Sequence, residues 1–444
     1  LPPEISAEQI LEFNPTLVAV VCYGNQVSAS TQVMPGARAI CVALKESSPE
    51  TKTLLVGGHV AALPQRTLED EPADFVCGGE GPYTVADLVD ALRGGRIEDL
   101  KKVRGLWYKL DGGVHSTAPA PLITDLDNEM PQMAWDLLPV EKYRAHNWHA
   151  FGFSDREPYG SIYTTLGCPY HCSFCCIQAP FKSGELALNM KSFVNSYRFY
   201  SPESVIAQID DLVNNYGVRH IRFADELFVL NERHVNGICD LIISRGYDLN
   251  IWAYSRVDSI KPRIIEKMKK AGINWVCLGI ESASSRVRED IQKDFEQDLV
   301  FKICDEIWQG GISILSNFIF GLPEDDLDSM KETLELAIDL NAEFANFYSA
   351  MAYPGSQLYT DAVKNGALLP SDWSGYSQHS VDTLPLPTNY LSGPEVLKFR
   401  DEAFQTYFTN PKYLEMVNRK YGESVVREIR EMSSIQLVRN YTNT

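Results

Sequence analysis

Long apolar runs are missing from this chain of 444 residues. No stretch approaches the ~18 consecutive apolar residues that a membrane-spanning helix needs, so no membrane span is expected. Positive charge is scarce as well: 40 Lys and Arg stand against 59 Asp and Glu, a net charge of −19. Nucleic acid, which rewards a basic face, is thereby excluded as a main partner, and the acidity serves solubility. Paired cysteine spacing is absent from most of the chain. Cys22, Cys41, Cys77, Cys239, Cys277 and Cys304 stand singly in apolar surroundings and read as small core hydrophobes. That usage argues against a disulfide framework and for a reducing, cytoplasmic setting. An initiating Met is lacking, and no secretory leader is expected at Leu1. The length suits two or three domains, and 45% apolar with 22% charged residues is ordinary for a globular protein.

The remaining four cysteines are concentrated between Thr164 and Cys176, T-T-L-G-C-P-Y-H-C-S-F-C-C. Cys168, Cys172 and Cys175 form C-x3-C-x2-C. Three thiolates so close can hold three irons of a four-iron cluster, whose usual ligands are cysteines. The fourth iron then stays open to a small molecule. Zinc, the competing metal, usually takes a C-x2-C pair and a second pair downstream, which this sequence does not provide. Cys176 is not expected to be a ligand, because its side chain should point away from that of its neighbour Cys175. Buried structural thiols are the bland alternative, a weak one for three cysteines in such a short loop.

These residues, with Phe174 before the third cysteine, resemble the signature of radical S-adenosylmethionine (SAM) enzymes. In that family the open iron chelates the amino and carboxylate groups of SAM, and one electron cleaves SAM to a 5′-deoxyadenosyl radical. The resemblance implies a four-iron–four-sulfur cluster on Cys168, Cys172 and Cys175, with Phe174 beside SAM. It also implies a one-electron reductant of flavodoxin or ferredoxin type.

Ahead of this motif, apolar β-branched runs at Thr16–Tyr23, Thr53–Val56 and Asp74–Cys77 alternate with helical patterns at Val27–Glu46, Pro64–Glu71 and Tyr83–Leu92. Such alternation implies a doubly wound parallel sheet, whose ligands sit beyond the carboxyl ends of the strands. Glycines lie at those ends, where backbone approaches a ligand or takes positive φ; an ordinary tight turn is the alternative for each glycine pair taken alone. L-V-G-G-H followed by D-F-V-C-G-G-E-G resembles the cobalamin-binding domain that precedes many radical SAM cores. By position, the resemblance implies a cobalamin pocket from Cys22, Tyr23, Gly24, Gln26, Val27, Ser28, Gly57, Gly58, His59, Gly79, Glu80 and Gly81. The D-x-H-x-x-G motif that ligates cobalt in many such domains is missing. Leu1–Pro15 resembles the end of a second βα unit, so a first unit is expected before it. A hairpin is expected around Asp111-Gly112-Gly113.

From Gly160 the βα period repeats. Strands are predicted at Ser161–Leu166, Arg219–Ala224, Asn250–Tyr254, Trp275–Ile280, Ile312–Phe320 and Ala345–Ala350. Helices are predicted at Pro202–Tyr216, Asn231–Ser244, Pro262–Ala271, Asp298–Gln309 and Asp326–Leu340. Six units suit a partial (β/α)6 TIM-like barrel, with active residues at the C-terminal strand ends. Asp225 and Glu226 are two carboxylates suited to the SAM ammonium, or an acid pair at a helix start. Arg256 could fork onto the SAM carboxylate, or form a surface ion pair. By resemblance, Glu281 and Ser282 occupy the ribose-contacting position and Asn317 to Gly321 the adenine side. Tyr353, in Y-P-G-S, is placed near substrate.

The fold class is therefore α/β: an N-terminal doubly wound Rossmann-like cobalamin-binding domain (1–120), a linker (121–158), a radical SAM core (159–357) and a mostly helical C-terminal region (358–444). Helices are predicted at Glu395–Tyr407 and Ser424–Met432. The loop Ser371–Tyr390, with Trp373, Tyr376 and His379, is expected either to cover substrate or to pack. The polar tail Gln436–Thr444 is expected to be mobile. The resemblance implies a cobalamin-dependent radical SAM methyltransferase acting on an unactivated carbon of a small metabolite. A non-methylating cyclisation, ring rearrangement or oxidation with the same cofactors is the alternative.

Overall fold

The computed structural model describes residues 1–442 except Asn25, Ser154 and Glu157; those three, Asn443 and Thr444 lie outside the described residues. The chain forms two compact units, each discontinuous in sequence. One comprises Leu1–Thr124, Gly167–Ser196 and Met351–Leu384; the other comprises Asp125–Leu166, Tyr197–Ala350 and Pro385–Thr444.

The first unit is built on five strands in the order β1 (Val18–Cys22), β2 (Thr53–Gly57), β3 (Phe75–Cys77), β4 (Leu106–Leu110) and β5 (Gly113–Ser116). The first three run parallel, and β4 joins antiparallel. The β4–β5 hairpin turns at Asp111 and Gly112, both at positive φ, the combination that a two-residue hairpin loop requires. The helix predicted over Val27–Glu46 is two helices, Ala29–Gln32 and Met34–Ser47. Pro35 accounts for the break, since it has no N–H to continue a helix begun earlier. The core gathers Cys22, Met34, Cys41, Leu55, Val60, Leu68 and Val76, and it is completed by Trp373 and Tyr376 from the third segment. Those two aromatics of the long loop are therefore packing residues. Burial pushes the Cys22 thiol up to about 12 and that of Cys41 up to about 11, so both remain protonated hydrophobes.

The second unit carries six parallel strands in the order β13 (Phe344–Ser349), β12 (Ser313–Phe320), β11 (Ile273–Glu281), β10 (Asn250–Arg256), β9 (His220–Phe223) and β6 (Tyr159–Ile162). The strand predicted over Ser161–Leu166 is interrupted: β6 covers Tyr159–Ile162, and β7 (Thr165–Gly167) pairs separately with β8 (Tyr197–Phe199). The interruption has a side-chain cause. Asp225 Oδ1 accepts from Thr164 N (2.6 Å) and Thr165 N (3.1 Å), and its Oδ2 accepts from the Thr164 hydroxyl. A carboxylate thus takes the N–H groups that a strand ladder would have used.

Connecting helices fall close to their predicted places. Pro202–Tyr216 begins at Ser201, whose Oγ accepts from Ser204 N at 3.1 Å, and stops at Gly217 with φ 65°, a capped start and a left-handed stop. The stretch expected as a linker sends Trp148 and Phe151 against Trp275, with ring centroids 5.3 and 6.2 Å away. In the C-terminal part, Pro411–Tyr421 is a helix that was not expected; it lies between Gly393–Phe408 and Glu423–Ser434, which answer the predicted Glu395–Tyr407 and Ser424–Met432. Its Tyr413 and Val417 are buried and stand at helical spacing. The tail is pinned short of its end: Arg439 is 3% exposed and holds Asp401 through two bonds of 2.9 and 3.0 Å. Among the described residues no helix is long and apolar enough to cross a membrane.

Candidate active site

The cysteine loop starts at a glycine that nothing else can replace. Gly167 has φ 89°, and a Cβ there would lie 2.3 Å from the Ser196 carbonyl oxygen. Cys175 N donates to Cys172 O at 3.0 Å, closing a turn. Cys168 N donates to Gln178 Oε1 (3.1 Å), and Gln178 Nε2 donates to Glu185 Oε1 (2.7 Å). The same oxygen accepts from Ser196 N and Oγ, each at 2.7 Å, while Lys182 Nζ stands 2.9 Å from Glu185 Oε2. Burial pushes the Glu185 pKa upward, but the bonds from Ser196 and Lys182 outweigh it and the net shift is downward. An ionised, enclosed carboxylate therefore anchors the loop. Cys168, Cys172 and Cys175 are half-exposed, whereas Cys176 and the six scattered cysteines are buried. Gln178, Glu185 and Ser196 carried no sequence signal, because tertiary convergence rather than spacing brings them together.

The same unit holds the glycine-rich strand tips. Ser30 Oγ donates to Cys22 O (2.5 Å) and accepts from His59 N (2.9 Å). The His59 ring meets Thr31 Oγ1 through Nδ1 at 3.2 Å and abuts Trp373 edge-on at 4.4 Å. Its Nε2 is buried with no hydrogen-bond partner among the described residues. Burial, with Arg66 nearby, lowers the His59 pKa to about 3, so the ring is neutral. Gly57 is explained by the neighbouring strand: a Cβ would lie 2.3 Å from Cys22 O. Gly58 faces Ser30, and Gly81 takes φ 116°. Glu80 Oε1 accepts from Ile123 N at 2.8 Å. Ser183, on the helix Lys182–Ala187 that follows the cysteine loop, donates to Gly78 O at 2.6 Å beside Gly79. Tyr23, Gly24, Gln26, Val27 and Ser28 form the bend before Ala29–Gln32; Asn25, within that stretch, lies outside the described residues. Tyr353 is clasped, accepting from Gln32 Nε2 at 3.0 Å and donating to Tyr376 O at 3.1 Å.

In the second unit, the sequence-predicted residues fall at the C-terminal ends of the parallel strands, and several are already partnered. Asp225 is fully buried on Thr164 and Thr165, as described above; burial raises its pKa to about 6 against those three donors. Glu226 is half-exposed by area yet closely ringed by protein, and burial raises its pKa to about 7, opposed by Arg222. Arg256 forks onto Asp258 at 2.9 and 2.8 Å. Glu281 takes φ 67° and pairs with Lys293 Nζ at 2.5 Å, a partner that the sequence did not reveal. Ser282 is buried against Thr333 (3.2 Å). Asn317 Oδ1 accepts from Asn346 Nδ2 at 3.0 Å, and Gly321, at φ 81°, donates its N–H to Asp325 at 3.0 Å. Tyr254, Gly279, Asn317, Ile319, Asn346 and Tyr348 are half-exposed at alternate positions on β10 to β13. With helices between the strands, this period-two exposure marks a barrel lumen left open toward its C-terminal mouth.

Comparison with known proteins matches this arrangement. The family model for the B12 binding domain matches residues 1–89, and that for the radical SAM superfamily matches residues 162–337. The chain is 31% identical over 426 residues to the uncharacterized methyltransferase PH0819 of Pyrococcus horikoshii, covering 96% of this chain and 85% of that protein. It belongs to the cobalamin-dependent radical SAM enzymes. The anaerobic magnesium-protoporphyrin IX monomethyl ester cyclase of Rubrivivax gelatinosus is 27% identical over 71% of this chain and 54% of its own length. Among solved structures, the radical SAM methyltransferase TsrM of Kitasatospora setae, with cobalamin and cluster bound, has TM-score 0.65 at 16% identity, covering 97% of this chain and 92% of that one. OxsB, with aqua-cobalamin and SAM bound, has TM-score 0.66 at 16% identity, covering 97% and 65%. At those identities the likeness is one of fold.

The cofactors of this radical SAM enzyme are a four-iron–four-sulfur cluster, SAM and cobalamin. The residues present fit each. Three half-exposed thiols on one loop are the donor type and access that a cluster needs. Among the described residues no three His, Cys, Asp or Glu form a single-ion site; in a cluster each thiolate meets its own iron, so the three need not converge on a point. The orphaned, buried His59 Nε2 at the strand tips fits a pocket completed by a polar ligand. The open lumen mouth, ringed by Glu226, Arg256 and Glu281, fits a zwitterion with a sugar and a base.

Proposed function

We propose that this enzyme is a methyltransferase that acts on an unactivated carbon of a modest-sized metabolite. The observation that carries the proposal is the single compact unit in which the cysteine loop and the glycine-rich strand tips touch, through Ser183 and Gly78. When bound, the three cofactors supply one-electron cleavage of SAM, a hydrogen-abstracting radical and a transferable methyl group. The chain's own part is to bind, orient and exclude water. In this reading Cys168, Cys172 and Cys175 hold the cluster, Gln178 and Glu185 fix the loop, and Phe174 flanks SAM. Glu226 takes the SAM ammonium, while Asp225 holds Thr164 in place. Glu281, steadied by Lys293, meets the ribose, and Asn317 to Gly321 line the adenine. Cys22 to Ser28, Gly57 to His59 and Gly79 to Gly81 cradle cobalamin. Tyr353 braces the strap that carries Trp373. The functional division remains 1–120, 121–158, 159–357 and 358–444, and the electron comes from a flavodoxin- or ferredoxin-type donor.

Relatives carry both outcomes in their names. The cytidylyl-2-hydroxyethylphosphonate methyltransferase of Streptomyces wedmorensis supports methyl transfer, whereas the cyclase supports ring formation. Anaerobic reconstitution with cluster, cobalamin and methyl-labelled SAM, followed by mass spectrometry against candidate metabolites, separates them. A product heavier by one labelled methyl is expected. A product that loses hydrogen without gaining carbon contradicts methyl transfer.

A further inference from the structure

Apolar and positive surface gathers on one short segment behind the cysteine loop. Leu186, Leu188, Phe193 and Val194 are exposed large hydrophobics, Phe193 to 68%. Scattered singly they would be ordinary, but the fold draws them together. Leu186 stands four residues after Lys182 on the helix Lys182–Ala187 and shares its face. Lys182 Nζ in turn donates to Val194 O at 3.3 Å and to Asn195 Oδ1 at 2.5 Å. The chain between them is turned by Asn189 N on Leu186 O and by Val194 N on Lys191 O, each at 2.9 Å. Lys191 is exposed, and its Nζ lies 5.7 Å from the centre of the Phe193 ring.

The charge of this surface is opposite to that of the chain. From Tyr159 to Ser201 there is a single acid, Glu185, although 59 of the 444 residues are Asp or Glu. Glu185 is 2% exposed and is engaged by Gln178 and Ser196. The charges that reach the surface between Lys182 and Asn195 are therefore those of Lys182 and Lys191.

The patch is also joined to the cysteine loop. Asn195 Nδ2 donates to Tyr170 O at 2.7 Å, and Tyr170 lies between Cys168 and Cys172. Consecutive Cα atoms are about 3.8 Å apart, so Phe193 and Val194 lie within about 8 Å of Asn195 along the backbone. An electron arriving at this face meets one side-chain amide and one hydrogen bond before the loop. All of these residues belong to the first compact unit.

We propose that Leu186, Leu188, Lys191, Phe193 and Val194 form the docking face for a small acidic electron-carrier protein that reduces the cluster. The assignment rests on the functional reading above and adds to it the place where the donor binds. Charge complementarity selects this occupant. An acidic carrier is repelled by a molecule of net charge −19 and is steered to a face with cations and no exposed acid. A patch of this size suits it, because electron-transfer encounters use small interfaces. One electron leaves the carrier, which is oxidised, and enters the cluster, which is reduced; no bond forms or breaks.

The test follows reduction of the cluster in the reconstituted full chain by stopped-flow absorbance. Reduced flavodoxin and reduced ferredoxin are the protein donors. Photoreduced deazaflavin, a small neutral molecule, is a donor that needs no docking face. Lys191→Glu combined with Phe193→Ser is expected to slow both protein donors at least about tenfold, with the deazaflavin rate unchanged. Leu188→Asp alone is expected to slow them several-fold, and Lys191→Arg to keep the wild-type rate. Added salt is expected to slow the protein donors only. Equal protein-donor rates in the wild type and the double variant overturn the proposal. An equal loss with deazaflavin also overturns it, because that reports damage to the loop instead of lost docking. A wild type that is dimeric by light scattering, with a monomeric Phe193→Ser variant, assigns the patch to a second copy and likewise overturns it. If the reduced enzyme cleaves SAM but forms no methylated product, the methyl-transfer reading fails, while the reduction rates still decide the docking face.

Discussion

Single residues set the electrostatics of the barrel mouth. The Glu281–Lys293 pair is enclosed, with side chains 7% and 6% exposed. Removing one partner strands the other, which costs about 3–5 kcal/mol for a buried pair. Lys293→Met should therefore lower the melting temperature sharply, and adding Glu281→Gln should restore part of the loss; a neutral Lys293→Met contradicts the pairing. Glu226 carries the pH dependence. Burial raises its pKa to about 7, against Arg222 and with Asp225, and Tyr163 stands near. A cation such as the SAM ammonium needs the ionised form, so SAM affinity should rise as pH climbs through about 7. Stability should move the other way. A carboxyl whose pKa is raised by folding favours its protonated form in the fold, so Glu226 withdraws stability as pH rises from ~4.3 toward 7. Glu226→Gln should flatten both trends, as read by SAM titration and thermal melts; unchanged profiles in that variant contradict the assignment.

Elements show which parts of the site were legible in the sequence. The cysteine loop was readable because its three spaced thiols lie within one short covalent span. The glycine-rich tips were readable because the strands ending there are continuous apolar runs. Gln178, Glu185 and Lys293 were not, since tertiary packing unites residues on separate elements. The predicted first barrel strand failed for a similar reason: a side chain 61 positions away in the chain, Asp225, displaces the ladder. The loop itself is open to test. Gln178→Leu removes the acceptor of the Cys168 N–H and the link to Glu185. The loaded loop should then release iron to a chelator several-fold faster; unchanged release contradicts the anchoring role. Gly167→Ala adds a clash to at least ~1 kcal/mol of left-handed strain, and should prevent cluster loading.

At the scale of the whole molecule, chain order and compactness disagree. The N-terminal sheet has its core finished by Trp373 and Tyr376, and its tip meets Ser183. A fragment of residues 1–124 lacks these groups and leaves Met34, Val60 and Leu68 uncovered. It should bind a hydrophobic dye and melt below the intact chain; a stable, dye-silent fragment contradicts the discontinuous unit. The central claim is a cluster on Cys168, Cys172 and Cys175 with one iron left for SAM. Paramagnetic resonance of the reduced, anaerobic holoenzyme, recorded before and after SAM, tests it most directly. The account expects a four-iron–four-sulfur signal that changes shape on SAM addition and disappears in Cys172→Ala. A signal indifferent to SAM, or one retained in full by Cys172→Ala, would contradict it.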